Sequence, residues 1–176
     1  MSRRLPGLGL VLSCLLLGGA AAAQQAPLPE ASIKAAFLLR FADYVEWPSA
    51  ASTRPLTVCL SRSHQFGPTV ATLAEQTRSK GRPVIVRGLD PAAPGTGCDI
   101  AYIEADDHIL LDPLSKLPVL TVGDEPGFCH KGGIINFRTI RGRVRFEIGL
   151  DNARRAGLSI HSQLLQLATA VYGGRQ

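Results

Sequence analysis

The sequence predicts a single α/β domain with a mostly parallel central sheet, helices on both faces, a C-terminal antiparallel hairpin and a closing helix. Three observations carry this prediction. Nearly continuous apolar runs, typical of strands covered on both faces, alternate with stretches of helical periodicity. Two strand patterns joined by a short turn follow them. The chain has 176 residues, which is enough for one domain and scarcely for two.

The composition excludes several classes of protein. Hydrophobic residues make up 45% of the chain and charged residues 19%, which is typical of a globular protein rather than a disordered one. Beyond the N-terminus there is no charge-free apolar run of the roughly eighteen residues that a membrane span needs. There are no internal repeats. We therefore expect one globular domain without a linker.

The N-terminus has the pattern of a secretory signal peptide. Arg3 and Arg4 precede an apolar stretch at residues 8–17, and small residues follow as far as Ala23. A basic start, a short apolar segment and a small-residue cleavage site are the three parts of such a peptide. We expect cleavage near Ala23. Lipidation of Cys14 is an alternative, but it would leave the apolar segment too short.

Export determines the predicted domain organisation. Residues 1–23 are the cleaved signal peptide, residues 24–29 a flexible lead-in, and residues 30–176 the α/β domain. The two arginines that leave with the signal peptide lower the formal charge from +5 to +3. An exported protein meets no genomic DNA, so we expect no nucleic-acid partner, and we expect no membrane insertion of the mature chain. A mildly basic surface facing acidic components of the cell envelope stays open.

Residues 30–47 have the clearest helical pattern. Apolar side chains recur there at spacings of three and four, and they form one stripe made by Ile33, Phe37, Phe41, Tyr44 and Val45. Pro48 ends the predicted helix because a proline pushes the residue before it out of the α region. Trp47 is therefore expected at the helix end, where its ring would cover the edge of the sheet.

Four strands are predicted in the middle of the chain, at residues 55–61, 83–88, 98–104 and 118–123. Phe66 and Val70 begin a helical stripe between the first and second strands. Residues 109–116 predict a short helix between the third and fourth strands. This alternation indicates βα units built around a parallel sheet.

The C-terminal third has a different pattern. Residues 134–137 and 143–148 predict an antiparallel hairpin at the edge of the sheet, where outward charges discourage pairing with other edges. We expect Asp151 to cap a short helix that ends near Gly157. Residues 159–172 then predict a closing helix.

Three cysteines remain after the predicted cleavage. Cys59 lies in one predicted strand and Cys98 opens another, and two strands separated by a helical crossover can lie side by side. We favour a disulfide between them, which would stabilise the fold by about 4 kcal/mol on the chain-entropy model. Cys129 is then a free thiol or forms an intermolecular bond. The alternative is three reduced cysteines, two of them buried as small hydrophobic residues.

No constellation in the sequence predicts an enzyme, a metal site or a cofactor. The four histidines match no metal-ligand spacing, and the adjacent pair Cys129 and His130 is poorly placed to chelate one ion. Two short groups combine serine with histidine, but neither lies in a nucleophile elbow or a recognisable triad context. These groups are Ser61, Ser63 and His64, and Ser159, His161 and Ser162.

Two loops that follow predicted strands form a candidate ligand or partner site. Open α/β sheets bind ligands at the carboxyl ends of their strands. The candidate residues are Asp106, Asp107, Asp124, Glu125, Phe128 and His130. The alternative is that the acids only keep the loops soluble, with Asp106 or Asp107 capping a helix. Glycines at positions 123, 127, 132 and 133 indicate tight turns in the second loop, without a phosphate-binding pattern.

The predicted hairpin carries a second candidate surface. Its four arginines form a basic ribbon made by Arg138, Arg141, Arg143 and Arg145. A solvated sheet edge is one interpretation, and a binding surface for an acidic partner is the other.

Residue strings along most of the mature chain are similar to those of a known family. They are IKAAFL at 33–38 through VEWP at 45–48, LTVGD at 120–124 with GF at 127–128, GGIINF at 132–137, VRFEI at 144–148, and AGLSI at 156–160 with LL at 164–165. In this order behind a signal peptide, they resemble the YfiR/HmsC-like periplasmic proteins over about residues 30–172.

The resemblance implies a small α/β protein in the periplasm of a Gram-negative cell. Such a protein binds the periplasmic sensor domain of an inner-membrane diguanylate cyclase and represses it, so that lost repression raises cyclic di-GMP, exopolysaccharide and biofilm formation. Related domains also serve as sensory modules. A stand-alone small-ligand sensor and an accessory sensor of a membrane histidine kinase are therefore alternative functions. A homodimer also stays open as a partner arrangement.

The resemblance also concerns the cysteines. A known disulfide of the family is similar in placement to Cys59 and Cys98, which supports that bridge. Cys129 resembles one member of a second pair, but the position of its expected partner is occupied by Asn136. The second bridge, and any redox switching through it, is therefore not expected.

Overall fold

The computed structural model describes residues 28–48, 54–61 and 66–174. The predicted signal peptide with its cleavage site, Cys14, Ser63 and His64 lie outside the described residues. The helices are α1 Glu30–Phe41, α2 Phe66–Glu75, α3 Leu111–Leu114, α4 Leu150–Arg155 and α5 Ser162–Leu167. The strands are β1 Val45–Glu46, β2 Leu56–Leu60, β3 Arg78–Ser79, β4 Arg82–Gly88, β5 Ile100–Ile103, β6 Leu120–Gly123, β7 Ile135–Ile140, β8 Arg143–Gly149, β9 Ser159–Ile160 and β10 Ala170–Tyr172.

The central sheet confirms the predicted fold class. Eight strands lie in the order β10-β8-β7-β6-β5-β2-β4-β3. β4, β2, β5, β6 and β7 run parallel to one another, and β8 returns antiparallel to β7. The sheet is therefore mostly parallel with one long antiparallel pair, as the change from apolar runs to an alternating pattern predicts.

The two faces of the sheet are covered by separate apolar clusters. On one face, α1 packs its aromatic side chains against the hairpin, and the rings of Phe41 and Phe137 lie 5.6 Å apart. On the other face, Leu111 and Leu114 of α3 pack with Cys59 and Phe128. Both faces of the central strands are thus removed from water, and every residue of β2, β5 and β6 is buried.

The predicted helix at residues 30–47 is too long. The α-helix ends at Phe41, a 3₁₀ turn follows at Ala42–Tyr44, and the chain then becomes extended. β1 pairs antiparallel with β9 in a separate two-stranded sheet, with Val45 opposite Ile160. Because Val45 is fully buried in this pairing, a tertiary contact overrides the helical spacing that includes it.

The predicted closing helix at residues 159–172 is wrong. The segment forms β9, the short helix α5 and then β10, which pairs parallel with β8 through Glu147, Ile148 and Gly149. β10 is therefore the edge strand at this side of the sheet, and the hairpin is not. Leu167, which lies within the predicted helix, is 62% exposed. The helical spacing fails here because the edge of β8 offers backbone partners to the extended chain.

Two local predictions also need correction. Asp151 does not cap α4, whose N-cap is Gly149 without a side-chain hydrogen bond. Instead Asp151 accepts a hydrogen bond from the Gly174 amide and pairs with Arg154. The short helix predicted at residues 109–116 is present but shorter: α3 covers Leu111–Leu114, and a 3₁₀ segment at Ala105–Leu110 leads into it.

Candidate functional site

The β7–β8 hairpin projects beyond the neighbouring strand. β7 pairs with β6 only through Ile135 and Asn136, whereas it pairs with β8 along its whole length. We call residues 137–146, which extend past the end of β6, the arm. A two-residue turn closes the arm, with Arg141 and Gly142 both at positive φ, as a tight hairpin requires.

The two faces of the arm have different surroundings. On one face, Phe137 and Phe146 pack against the aromatic rings of α1. Side chains alternate along a strand, so the opposite face carries Arg138, Ile140, Arg143 and Arg145. Arg138 is half-buried and the other three are exposed. The strand period thus brings three of the four predicted arginines onto one uncovered face, while Arg141 lies at the turn.

The charges on this face are poorly compensated. Arg138 is the register partner of Arg145 across the hairpin. The one nearby carboxylate is that of Glu147, whose Oε1 lies 4.0 Å from Arg138 Nη1. Within the part of the chain that the structure describes, no hydrogen bond or ion pair holds Arg141, Arg143 or Arg145. The arm is therefore a projecting basic surface.

The acids of the loop after β6 have internal partners. Lys34 Nζ lies 2.9 Å from Asp124 Oδ2 and 2.8 Å from Glu30 Oε1, so it ties α1 to this loop. Burial disfavours the charge on Lys34, but the two carboxylates outweigh it and raise its pKa. Glu125 pairs with Lys131. Asp124 and Glu125 thus have a structural role at the carboxyl end of the sheet.

Phe128 belongs to the core rather than to a ligand-binding surface. Its ring is 1% exposed and lies against Gly123 and Gly133. A Cβ built at either glycine would come within 2.6 Å or 2.1 Å of that ring. Close packing explains these two glycines, whereas Gly127 and Gly132 have positive φ, as the predicted tight turns require.

An open cavity of about 410 Å³ lies between the segment after β5, the loop after β6 and α4. His108, His130, Lys131 and Arg155 line it together with Asp112. The rings of His130 and Tyr172 are 4.5 Å apart. Of the sequence-predicted loop residues, His130 alone lines this cavity. No group of three potential metal ligands comes together in the described ranges.

Asp106 and Asp107 lie in the 3₁₀ segment that follows β5. The N-cap of this segment is Glu104, and no side-chain hydrogen bond caps it. The capping role suggested for either aspartate is therefore wrong. Both residues have interactions within the structure.

The cysteines confirm the predicted bridge. Cys59 in β2 and Cys98 just before β5 form a disulfide, with their Cα atoms 5.8 Å apart. Cys129 is free and buried, and its Sγ lies 3.7 Å from the Ile134 carbonyl oxygen. Burial first, and the Glu147 carboxylate second, raise the pKa of the Cys129 thiol to about 12. The thiol is therefore protonated at neutral pH.

Two contributors to these surfaces were missed at the level of sequence. Lys34 lies off the apolar stripe of α1, and its position four residues after Glu30 is the signal from which a helical ion pair could have been predicted. Arg155 lines the cavity, but nothing in its neighbourhood of the sequence distinguishes it from a solvated arginine.

The described chain is thus a single α/β domain with a projecting basic arm and a Cys59–Cys98 disulfide. None of the helices in the described ranges is long and apolar enough to cross a membrane. A family model of the YfiR/HmsC-like proteins matches residues 31–169. The chain belongs to this family. Its members are periplasmic regulators of the cyclic di-GMP system that interact with membrane sensor proteins.

Proposed function

We propose that this protein is a periplasmic negative regulator of an inner-membrane diguanylate cyclase. It binds the periplasmic sensor domain of the cyclase, lowers cyclic di-GMP, and so reduces exopolysaccharide and biofilm output. It acts by binding rather than by catalysis. The observation that carries this proposal is the family match over nearly the whole predicted domain. The predicted signal peptide supports the compartment.

Repression is a shift in the population of receptor conformations. The regulator holds the cyclase inactive only to the extent that it binds the inactive conformer more tightly than the active one. A tenfold bias needs a difference in binding free energy of about 1.4 kcal/mol, and a hundredfold bias needs about twice that. Burying a modest surface with a few charge-assisted contacts can supply such a difference.

The experiment is a capture of the membrane partner from the natural host. The full chain, with a C-terminal tag and its own export signal, is expressed in a host that lacks the native copy. Partners are recovered from detergent-solubilised membranes and identified by mass spectrometry. We expect one membrane cyclase with a periplasmic domain, and a rise in cyclic di-GMP in the deletion strain. Unchanged cyclic di-GMP after deletion would contradict the proposal.

A second candidate function is a stand-alone sensor of a small ligand. The observation that favours it is the open cavity lined by His108, His130 and Arg155. This candidate predicts that a small anion or metabolite raises the melting temperature in a thermal-shift screen, with no membrane partner recovered. Recovery of a histidine kinase instead of a cyclase would identify the protein as an accessory sensor of that kinase.

A further inference from the structure

Two like charges are opposed at the centre of the arm. Arg138 and Arg145 are register partners on adjacent antiparallel strands. The Cα atoms of such partners are about 4.5–5.5 Å apart, and like charges in this position destabilise a sheet. Glu147 at 4.0 Å compensates Arg138 only in part, because its carboxylate also accepts a hydrogen bond from Asn136 Nδ2. The free protein therefore keeps a repulsive pair on an uncovered face.

Nothing else in the chain can neutralise this pair with an acidic side chain. The protein has 14 aspartates and glutamates, and all of them lie within residues 30–151. Every one belongs to the described residues, and Glu147 alone forms an ion pair with the arm. Residues 1–27, 49–53, 62–65 and 175–176 contain no aspartate or glutamate. The pair therefore keeps uncompensated positive charge that an acidic segment of another molecule can neutralise.

The geometry of the pair fits a carboxylate. A guanidinium group presents a planar fork of N–H donors that matches the two oxygens of a carboxylate. Two arginines at opposed positions can converge on one such group, which would turn their repulsion into shared attraction. Arg143 on the same face and Arg141 at the turn extend the positive potential to the tip.

The composition of the face favours a protein partner over a membrane. A helix or hairpin that binds a bilayer surface combines basic residues with several large apolar or aromatic side chains. The uncovered face of the arm has one such residue, Ile140, which is 44% exposed. A flat, charged strand surface of this kind suits an acidic segment of another protein.

We propose that the uncovered face of the arm is the docking surface for an acidic segment of a partner protein, in which Arg138 and Arg145 together bind one carboxylate. This inference rests on the proposed function for the existence of a partner, and it adds the chemistry by which the partner is recognised. It also identifies the opposed arginines as a stability cost that the free protein carries for binding.

The first test measures the stability of the free protein. Arg145→Gln removes the repulsion without changing the size of the side chain much, and we expect its melting temperature to rise by about 1–3 °C. The control is Arg154→Gln, which removes a charge paired with Asp151 at 3.2 Å and is expected to leave the melting temperature unchanged or slightly lower. A melting temperature lowered by Arg145→Gln would overturn the inference.

The second test measures binding with a defined probe. An eight-residue peptide with four glutamates is titrated into isotopically labelled protein, and its glutamine counterpart serves as the neutral control. We expect the glutamate peptide to shift the backbone amide resonances of residues 137–146 at low salt. The Arg138→Gln/Arg145→Gln variant should bind about tenfold more weakly, while the charge-matched Arg78→Gln/Arg154→Gln variant binds normally. Equal affinity in both double variants would refute the proposed role.

Two further measurements distinguish other occupants. Vesicles of phosphatidylglycerol that bind through the arm, with no response to the glutamate peptide, would assign the surface to lipid and overturn the inference. Sedimentation velocity tests for a homodimer. If the wild type is a dimer and the Arg138→Gln/Arg145→Gln variant is a monomer, the surface binds a second copy of the chain and the inference is overturned. Because the stability and peptide tests need no cyclase, their failure leaves the proposed function standing. Conversely, if cyclic di-GMP is unchanged in the deletion strain while the protein binds the glutamate peptide as expected, only the proposed function is contradicted.

Discussion

Asn136 faces Glu147 across the β7–β8 hairpin, and its Nδ2 donates a hydrogen bond to Glu147 Oε2 at 3.2 Å. Both residues lie beside the buried thiol of Cys129, whose Sγ is 3.8 Å from the Glu147 carbonyl oxygen. Asn136 is itself fully buried, and its Oδ1 has no hydrogen-bond partner among the described residues. The position at which the family resemblance expects a second disulfide thus holds an amide that is only partly satisfied.

Restoring a cysteine at this position should create a second bridge. The Cys129 Sγ lies 3.8 Å from the carbonyl oxygen of Glu147, the register partner of Asn136, so the thiol starts close to position 136. Under oxidising conditions we expect the cysteine of Asn136→Cys to form a disulfide with Cys129. Intact-mass measurement should show the loss of two hydrogens, and neither cysteine should react with a thiol reagent after unfolding. The control is Asn136→Ser. Two free thiols in the oxidised Asn136→Cys protein would show that the loop holds them apart.

The Cys59–Cys98 bridge should contribute most of its stabilisation through the unfolded chain. It closes a loop with a sequence separation of 39 residues. The chain-entropy model assigns such a loop about 4 kcal/mol, and native strain lowers this value. We expect Cys59→Ser/Cys98→Ser to lower the free energy of unfolding in urea by about 2–4 kcal/mol. If the proposed function is right, cyclic di-GMP in the host rises as well.

The control for that experiment is reduction of the wild-type protein. It should approach the stability of the double variant, since both lack the cross-link. A double variant as stable as the oxidised wild type would mean that the bridge does not constrain the fold.

Cys129 should be unreactive in the folded protein. Burial and Glu147 raise the pKa of its thiol from 9.0 to about 12, so almost no thiolate exists at pH 8. We expect iodoacetamide to label the native protein far more slowly than the urea-unfolded protein. The raised pKa means that the neutral thiol favours folding. This contribution is complete below about pH 9 and is lost as the pH rises towards 12.

Cys129→Ala, which has no thiol to titrate, provides the comparison. Its free energy of unfolding should fall less steeply above pH 9 than that of the wild type. Rapid labelling of native Cys129 at pH 8 would show that the thiol is accessible and ionised.

Gly133 should tolerate no side chain. A Cβ at this position would meet the Phe128 ring at 2.1 Å, and that ring is buried against a core that cannot yield easily. We expect Gly133→Ala to lower the free energy of unfolding by about 1–3 kcal/mol in urea denaturation. Phe128→Leu should partly rescue it, because a smaller side chain leaves room.

The matched control is Gly88→Ala. A Cβ there meets nothing within 4 Å, and Gly88 does not have positive φ. We expect little change in stability for this variant. If Gly88→Ala and Gly133→Ala lower the free energy of unfolding equally, glycine is required at position 133 for its backbone freedom rather than for its contact with Phe128.

Local patterns were sufficient for the central strands and for the bridge. The apolar runs around Val58, Ala101 and Val122 predict buried strands because a strand covered on both faces has no polar position to reveal its orientation. Neighbouring parallel strands then bring Cys59 and Cys98 within bonding distance. Likewise, strict alternation in the hairpin was enough to predict that Arg143 and Arg145 lie on one face.

The tertiary structure decided what happens at the two ends of the domain and at the arm. Val45 and Ile160 both match a helical stripe, yet each becomes extended because the other supplies its backbone partner from far along the chain. The opposition of Arg138 to Arg145 depends on the register of the hairpin, and the free edge of the arm depends on where β6 stops. Periodicity within one segment determines which side chains share a face. Pairing between distant segments determines which faces and edges remain uncovered, and in this protein it leaves the basic face of the arm open.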